Sequence, residues 1–164
     1  DMLGALEEVE SFGEFAKRNN AVASTDVKSF EHLVCTEQLS RRLGFRVGEE
    51  LIRVVRVRSL NGNARQVDHG YFLASIAKGL TPEIAADSIY GYLEHKRGVK
   101  VMASRRTVSV ELANDEDCSY LDLGKYNCVA VMESQSYTSD GILFEVTHTR
   151  THPEIFHYRV NSKR

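Results

Sequence analysis

The amino-acid sequence predicts an α+β fold, an antiparallel β-sheet flanked by short α-helices. Its strand-like stretches are joined by tight-turn signals, Asn61-Gly62 and Asp140-Gly141, which connect neighbouring antiparallel strands. Its helical stretches are short, are bounded by capping residues and glycines, and do not alternate with strands as βαβ units would. The chain has 164 residues, 42% hydrophobic and 27% charged, which fits one domain over residues 1–164 with a real core.

Ser11 reads as the N-cap of a first helix, with Glu14 three residues on and Phe12, Phe15 and Ala16 as its apolar stripe; it should stop near Asn19-Asn20. Residues 22–35 read as a strand with a kink. Thr36 caps a second helix, Glu37–Leu43, ended by Gly44. Glu50–Leu60 is the clearest strand, rich in Val, Ile and Leu with arginines interleaved, and Arg65–Leu73 returns from the Asn61-Gly62 turn. Asp87 or Ser88 opens a helix over 88–96, closed by Gly98, before a strand over 99–112 in which Val108, Val110 and Leu112 alternate. Asn114 caps a helix over 115–123, with acidic residues in its first turn and Gly124 at its end. Strands over 127–137 and 142–151 follow, and the alternation of Phe156, Tyr158 and Val160 predicts a last strand over 155–160.

Composition narrows the function classes. A formal net charge of −2 makes the domain a poor electrostatic trap for nucleic acid. No apolar run approaches the ~20 residues that a membrane-spanning helix needs. Three cysteines, Cys35, Cys118 and Cys128, lack CxxC spacing, which argues against a metal cluster or disulfide framework and for a reducing, cytoplasmic setting. A glycine-rich phosphate loop and a GxSxG elbow are missing, so no cofactor and no enzyme is expected. His148 and His152 lie four apart, but on a strand and a proline turn they need not converge on a metal.

Candidate chemistry lies on the strands. Alternation points Arg56 and Arg58 to the same face, beyond Ile52 and Val54. Two guanidiniums there can form the floor of an anion pocket, since the planar fork pairs with phosphate or carboxylate oxygens. The competing reading is a solvated face paired with surface carboxylates. Ser11, Phe12 and Gly13 at a helix start offer N–H groups to an anion, or are an ordinary cap; Ser88 presents the same choice. Asp68 and Glu145, carboxylates within apolar strands, could accept hydroxyl donors from a ligand or guard a sheet edge.

The stretches ESFGEFAKR, IRVVRVRSLNGNARQVDHGYF, DSIYGYLEHKRGVKV, ELANDEDCSYLDL and VAVMESQSYTSDGILFEVTHTRTHPEIFHY, in this order, resemble the effector-binding UTRA domain of GntR-family transcriptional regulators of the HutC subfamily. The resemblance covers essentially the whole chain. It implies a chorismate lyase-like fold, a homodimer, and control of operator DNA by a winged helix-turn-helix domain not present in this chain, which would make this chain a piece of something longer. It also implies a small anionic effector, most closely a sugar phosphate such as trehalose 6-phosphate; a carboxylate, a phosphonate and a lyase-like enzyme are the alternatives. By the family pattern, the effector would meet Ser11, Phe12, Gly13, Arg56, Arg58, Asp68, Ser88, Tyr90, Glu145 and Thr151. Gly13, Tyr90 and Thr151 depart from residues common at those places, and Thr151 cannot supply the aromatic wall found in relatives.

Overall fold

The computed structural model describes residues 12–158. Six strands form one antiparallel sheet: β1 (Ala23–Val34), β2 (Glu50–Leu60), β3 (Asn63–Leu73), β4 (Val101–Leu112), β5 (Cys128–Thr138) and β6 (Leu143–Thr151). Their spatial order is β1-β2-β3-β6-β5-β4, so two three-stranded meanders meet along a β3–β6 seam. The predicted kink in the first strand is a register shift between Val27 and Ser29.

Local chemistry accounts for the short helices. The helix α1 (Phe12–Arg18) occupies the predicted place, while its proposed cap Ser11 lies outside the described residues. In α2 (Glu37–Leu43) the Thr36 hydroxyl accepts from the Leu39 N–H, and Gly44 adopts φ 97°, a left-handed stop that favours glycine. A helix absent from the sequence reading, α3 (Pro82–Asp87), is capped by Thr81 and carries proline in its first turn. The expected helix over 88–96 is a single turn, α4 (Ile89–Gly91), continuing as a π-helical turn over Tyr92–Lys96.

Two expectations are corrected. The helix α5 (Asp115–Tyr120) has its Asn114 capping box but ends three residues early. Leu121 and Leu123 instead extend and bury with Val55, Val67, Val129 and Val131, an apolar contact that a continued helix would forfeit. The final strand does not form over 155–158, and residues 159–160 lie outside the described residues. After Thr151 the His152 N–H bonds to the Arg65 carbonyl, and a turn at Pro153 closes with Ile155 N–H on His152 O. The alternating aromatic pattern therefore belongs to a segment that leaves the sheet.

The main core packs α2, α3 and α4 against β2, β3 and β6, with Phe45, Phe144, Leu51, Ile52 and Val54 essentially inaccessible. By contrast β4 is an edge strand whose Val110 and Leu112 remain 73% and 75% exposed.

Candidate functional site

Strand register assembles a grid of side chains on one sheet face. Arg56 lies opposite Asp68 and Arg58 opposite Gln66; across the seam, Asp68 faces Thr149, Gln66 faces Thr151 and Phe72 faces Glu145. On the next strand Met132 and Ser134 share this face, as does Arg106 of β4. Together they floor a cavity of about 230 Å³. Its remaining walls include Ile89 and Tyr90 of α4, Phe12 and Phe15 of α1, and Ile155 and Phe156 of the segment after β6. Phe12, Phe15 and Ile155 pack together with Leu60, so α1 and the segment after β6 support each other as a roof.

Both arginines are held in place. Arg56 donates its Nε to Asp68 Oδ2 at 2.9 Å, its Nη2 to the same oxygen, and its Nη1 to the Ala85 carbonyl of α3 at 3.2 Å. Asp68 is only 4% exposed and sits in the middle of the sheet, which disposes of its role as an edge guard. The Arg58 guanidinium stacks over the Phe12 ring, 4.8 Å from its centroid. Its Nε is buried and finds no hydrogen-bond partner among the described residues. Burial, and then the charge of Arg56, pull the Arg58 pKa downward; a neighbouring anion would favour its charged form.

Farther along the floor, Glu145 is 2% exposed and likewise interior to the sheet. Its Oε1 accepts from the Tyr90 hydroxyl at 2.9 Å, and its Oε2 is buried without a partner among the described residues. Burial raises its pKa to about 7, so near neutrality the carboxyl can hold its proton and donate as well as accept. The Tyr90 phenol is pushed upward, by burial first and then by Glu145, and stays neutral.

Seven of the predicted residues therefore line one cavity: Phe12, Arg56, Arg58, Asp68, Tyr90, Glu145 and Thr151. Thr151 is buried and accepts from Gln66 Nε2 at 3.0 Å. Gly13 is exposed on α1 and Ser88 is exposed before α4; neither lines the cavity. The Ser88 hydroxyl accepts from the Gly91 N–H at 3.0 Å and so caps the turn that presents Tyr90. Ser11 lies outside the described residues.

Sequence reasoning passed over Phe15, Arg106, Met132, Ile155 and Phe156. Alternation along β4 could have found Arg106, whereas the roof residues join the site only through the path of the chain ends. His148 and His152 do not converge: the former pairs with Glu133 at 3.2 Å, and the latter packs edge-on against Tyr126 at 5.1 Å between centroids. Among the described residues no group of three or more His, Cys, Asp or Glu side chains is arranged to hold a metal ion. No helix among them is long and apolar enough to cross a membrane.

Comparison with known proteins places this grid in context. The family model of the UTRA domain matches residues 18–157. The HTH-type transcriptional regulator TreR of Bacillus subtilis (strain 168) is 28% identical over 148 residues, covering 90% of this chain and 62% of that protein. The HTH-type transcriptional repressor NagR of the same organism is 21% identical over 141 residues, covering 86% of this chain and 58% of that protein. The chain thus spans less than two thirds of the length of either relative. Among solved structures, the effector-binding domain of the B. subtilis trehalose repressor superposes with a TM-score of 0.78 at 27% identity, covering 86% of this chain and 98% of that one.

Proposed function

Because the chain belongs to the UTRA domain family, we propose that it is the non-catalytic, ligand-sensing domain of a transcriptional regulator and takes a small anionic effector in the cavity over Arg56 and Arg58. The observation that carries this reading is the buried Arg58 Nε, which has no partner among the described residues, beside a second guanidinium. A buried donor left without an acceptor is costly, and a phosphate or carboxylate oxygen would satisfy it.

Trehalose 6-phosphate is the effector we favour, on the likeness to the trehalose repressor domain. Its phosphate would lie between Arg56 and Arg58 under α1. Asp68 fixes the Arg56 fork, while Glu145, Tyr90, Thr149 and Thr151 face the sugar hydroxyls. A cavity of about 230 Å³ is smaller than the usual range of roughly 300–1,000 Å³ for small-molecule sites. A disaccharide phosphate would therefore have to part α1 from the segment after β6. That movement is how binding would reach a DNA-binding domain in the full-length regulator, with a coupling of about 1–3 kcal/mol typical of such switches. We further propose a cytoplasmic homodimer, probed through the exposed apolar row of Val108, Val110 and Leu112 on β4.

The test is calorimetric titration with trehalose 6-phosphate, glucose 6-phosphate and unphosphorylated trehalose. Saturable binding of a phosphorylated sugar, weakened at least tenfold by Arg58→Ala, is expected. Equal affinity in parent and variant would overturn the anion site. A second reading rests on Glu145, whose near-neutral pKa also suits a general acid in a lyase-like enzyme. Recovery of chemically altered ligand after long incubation would favour the enzyme over the sensor.

A further inference from the structure

The opposite sheet face carries a second groove, of about 570 Å³, between α2 and the strands. By alternation Arg53 and Tyr71 point away from the front cavity, so the two spaces are separated by the sheet itself. Tyr71 floors this groove at 6% exposure, and its hydroxyl is fixed by a bond from Arg42 Nη2 of α2 at 3.0 Å. Two guanidiniums converge on its ring, Arg42 at 5.8 Å and Arg53 at 5.9 Å from the centroid.

The nearby acids leave Arg42 unneutralised. Arg53 pairs with Glu31 at 2.8 Å. His69 and His148, direct cross-strand partners at the far end of the groove, engage Glu116 at 2.6 Å and Glu133 at 3.2 Å. No carboxylate among the described residues pairs with Arg42. Glu31 offsets the charge of Arg53, whereas the Arg42 guanidinium meets only the Tyr71 ring and hydroxyl among the described residues. A ligand oxyanion in the groove, which Arg42 and Arg53 both line, would supply the missing counter-charge and take charge-assisted hydrogen bonds from the Arg42 fork.

We propose that this back-face groove is a second binding site, for a small ligand bearing a phosphate or carboxylate group, held by Arg42 and Arg53 over Tyr71. It is independent of the front cavity: neither arginine takes part there, and an anion in one space does not displace one in the other.

The experiment is an NMR titration of the ¹⁵N-labelled chain, including the histidine ring signals. Inorganic phosphate and citrate are added separately at fixed pH and ionic strength, with sodium chloride as control. Saturable shifts at Tyr71, His69 and His148 are expected with at least one of the two anions, and which one responds identifies the oxyanion. Arg42→Ala, a change on the exposed side of α2, should weaken that response at least tenfold and leave shifts around Arg58 intact. Arg58→Ala should do the reverse, which separates failure of this site from failure of the front one. Shifts at the back face that never saturate, that sodium chloride reproduces, or that survive Arg42→Ala would overturn the proposal.

Discussion

Replacing Glu145 by glutamine should make the protein more stable at pH 8 and less sensitive to pH. The carboxyl is fully enclosed, and burial lifts its pKa from an ordinary 4.5 to about 7. Between those values the folded chain keeps a proton that the unfolded chain has released. Folding is therefore favoured by acid through this group, and its contribution is lost as pH rises from about 4.5 to about 7. A rise of this size corresponds to about 3 kcal/mol. Glutamine fits the same space, can accept from Tyr90, and carries no charge at any pH. Urea unfolding of parent and Glu145→Gln at pH 5 and pH 8 measures the effect, with equal m-values confirming that the denatured states match. The parent-minus-variant difference isolates Glu145 from other carboxylates, whose ion pairs act in the opposite direction. A gap that is the same at both pH values, or a variant less stable than the parent at pH 8, would refute the assignment of a buried, proton-holding Glu145.

Asp68→Asn removes the carboxylate that clamps Arg56 and leaves two guanidiniums facing each other in the floor of the cavity. A loss of about 3–5 kcal/mol is expected in chemical denaturation, partly recovered on adding phosphate. Gly70→Ala places a Cβ only 2.7 Å from Phe72 Cε2, so the Phe72 ring, which lines the cavity, has to move. The expected cost is about 1–3 kcal/mol of stability, read as a shift in the urea midpoint.

Much of the fold was legible because its signals are local. Thr36 and Gly44 bracket a helix by hydrogen bonds made within a few residues, and Asn61-Gly62 sets the β2–β3 hairpin by its turn geometry alone. The overlong fourth helix shows where local reading ends: Asp115–Tyr120 has its capping box, but burial of Leu121 and Leu123 against other strands decides where it stops. Thr81-Pro82 was a readable start for α3 and was passed over. The site divides in the same way. Arg56 and Arg58 share a face by alternation within one strand, Asp68 and Glu145 stand out as carboxylates within apolar strands, and the family resemblance added Tyr90 and Thr151. Phe15, Ile155 and Phe156 are near the floor only because α1 and the segment after β6 lie over it. No spacing in the sequence encodes that meeting.

The β3–β6 seam bears on how the molecule folds. Each meander pairs strands consecutive in the chain, joined by a tight turn or by a link carrying one short helix, so its contacts are comparatively short in sequence and should form early. Joining them pairs Gln66 with Thr151 and Asp68 with Thr149, across more than eighty residues of chain. That loop closure should be the slow, entropically expensive step. The polar floor straddles the seam, with Arg56, Arg58 and Asp68 on one meander and Glu145, Thr149 and Thr151 on the other. A half-folded chain thus owns only half a floor, and a ligand that needs both halves stabilises nothing until the last pairing is made. Binding should consequently slow unfolding far more than it speeds folding, making effector occupancy a measure of how long the completed sheet survives.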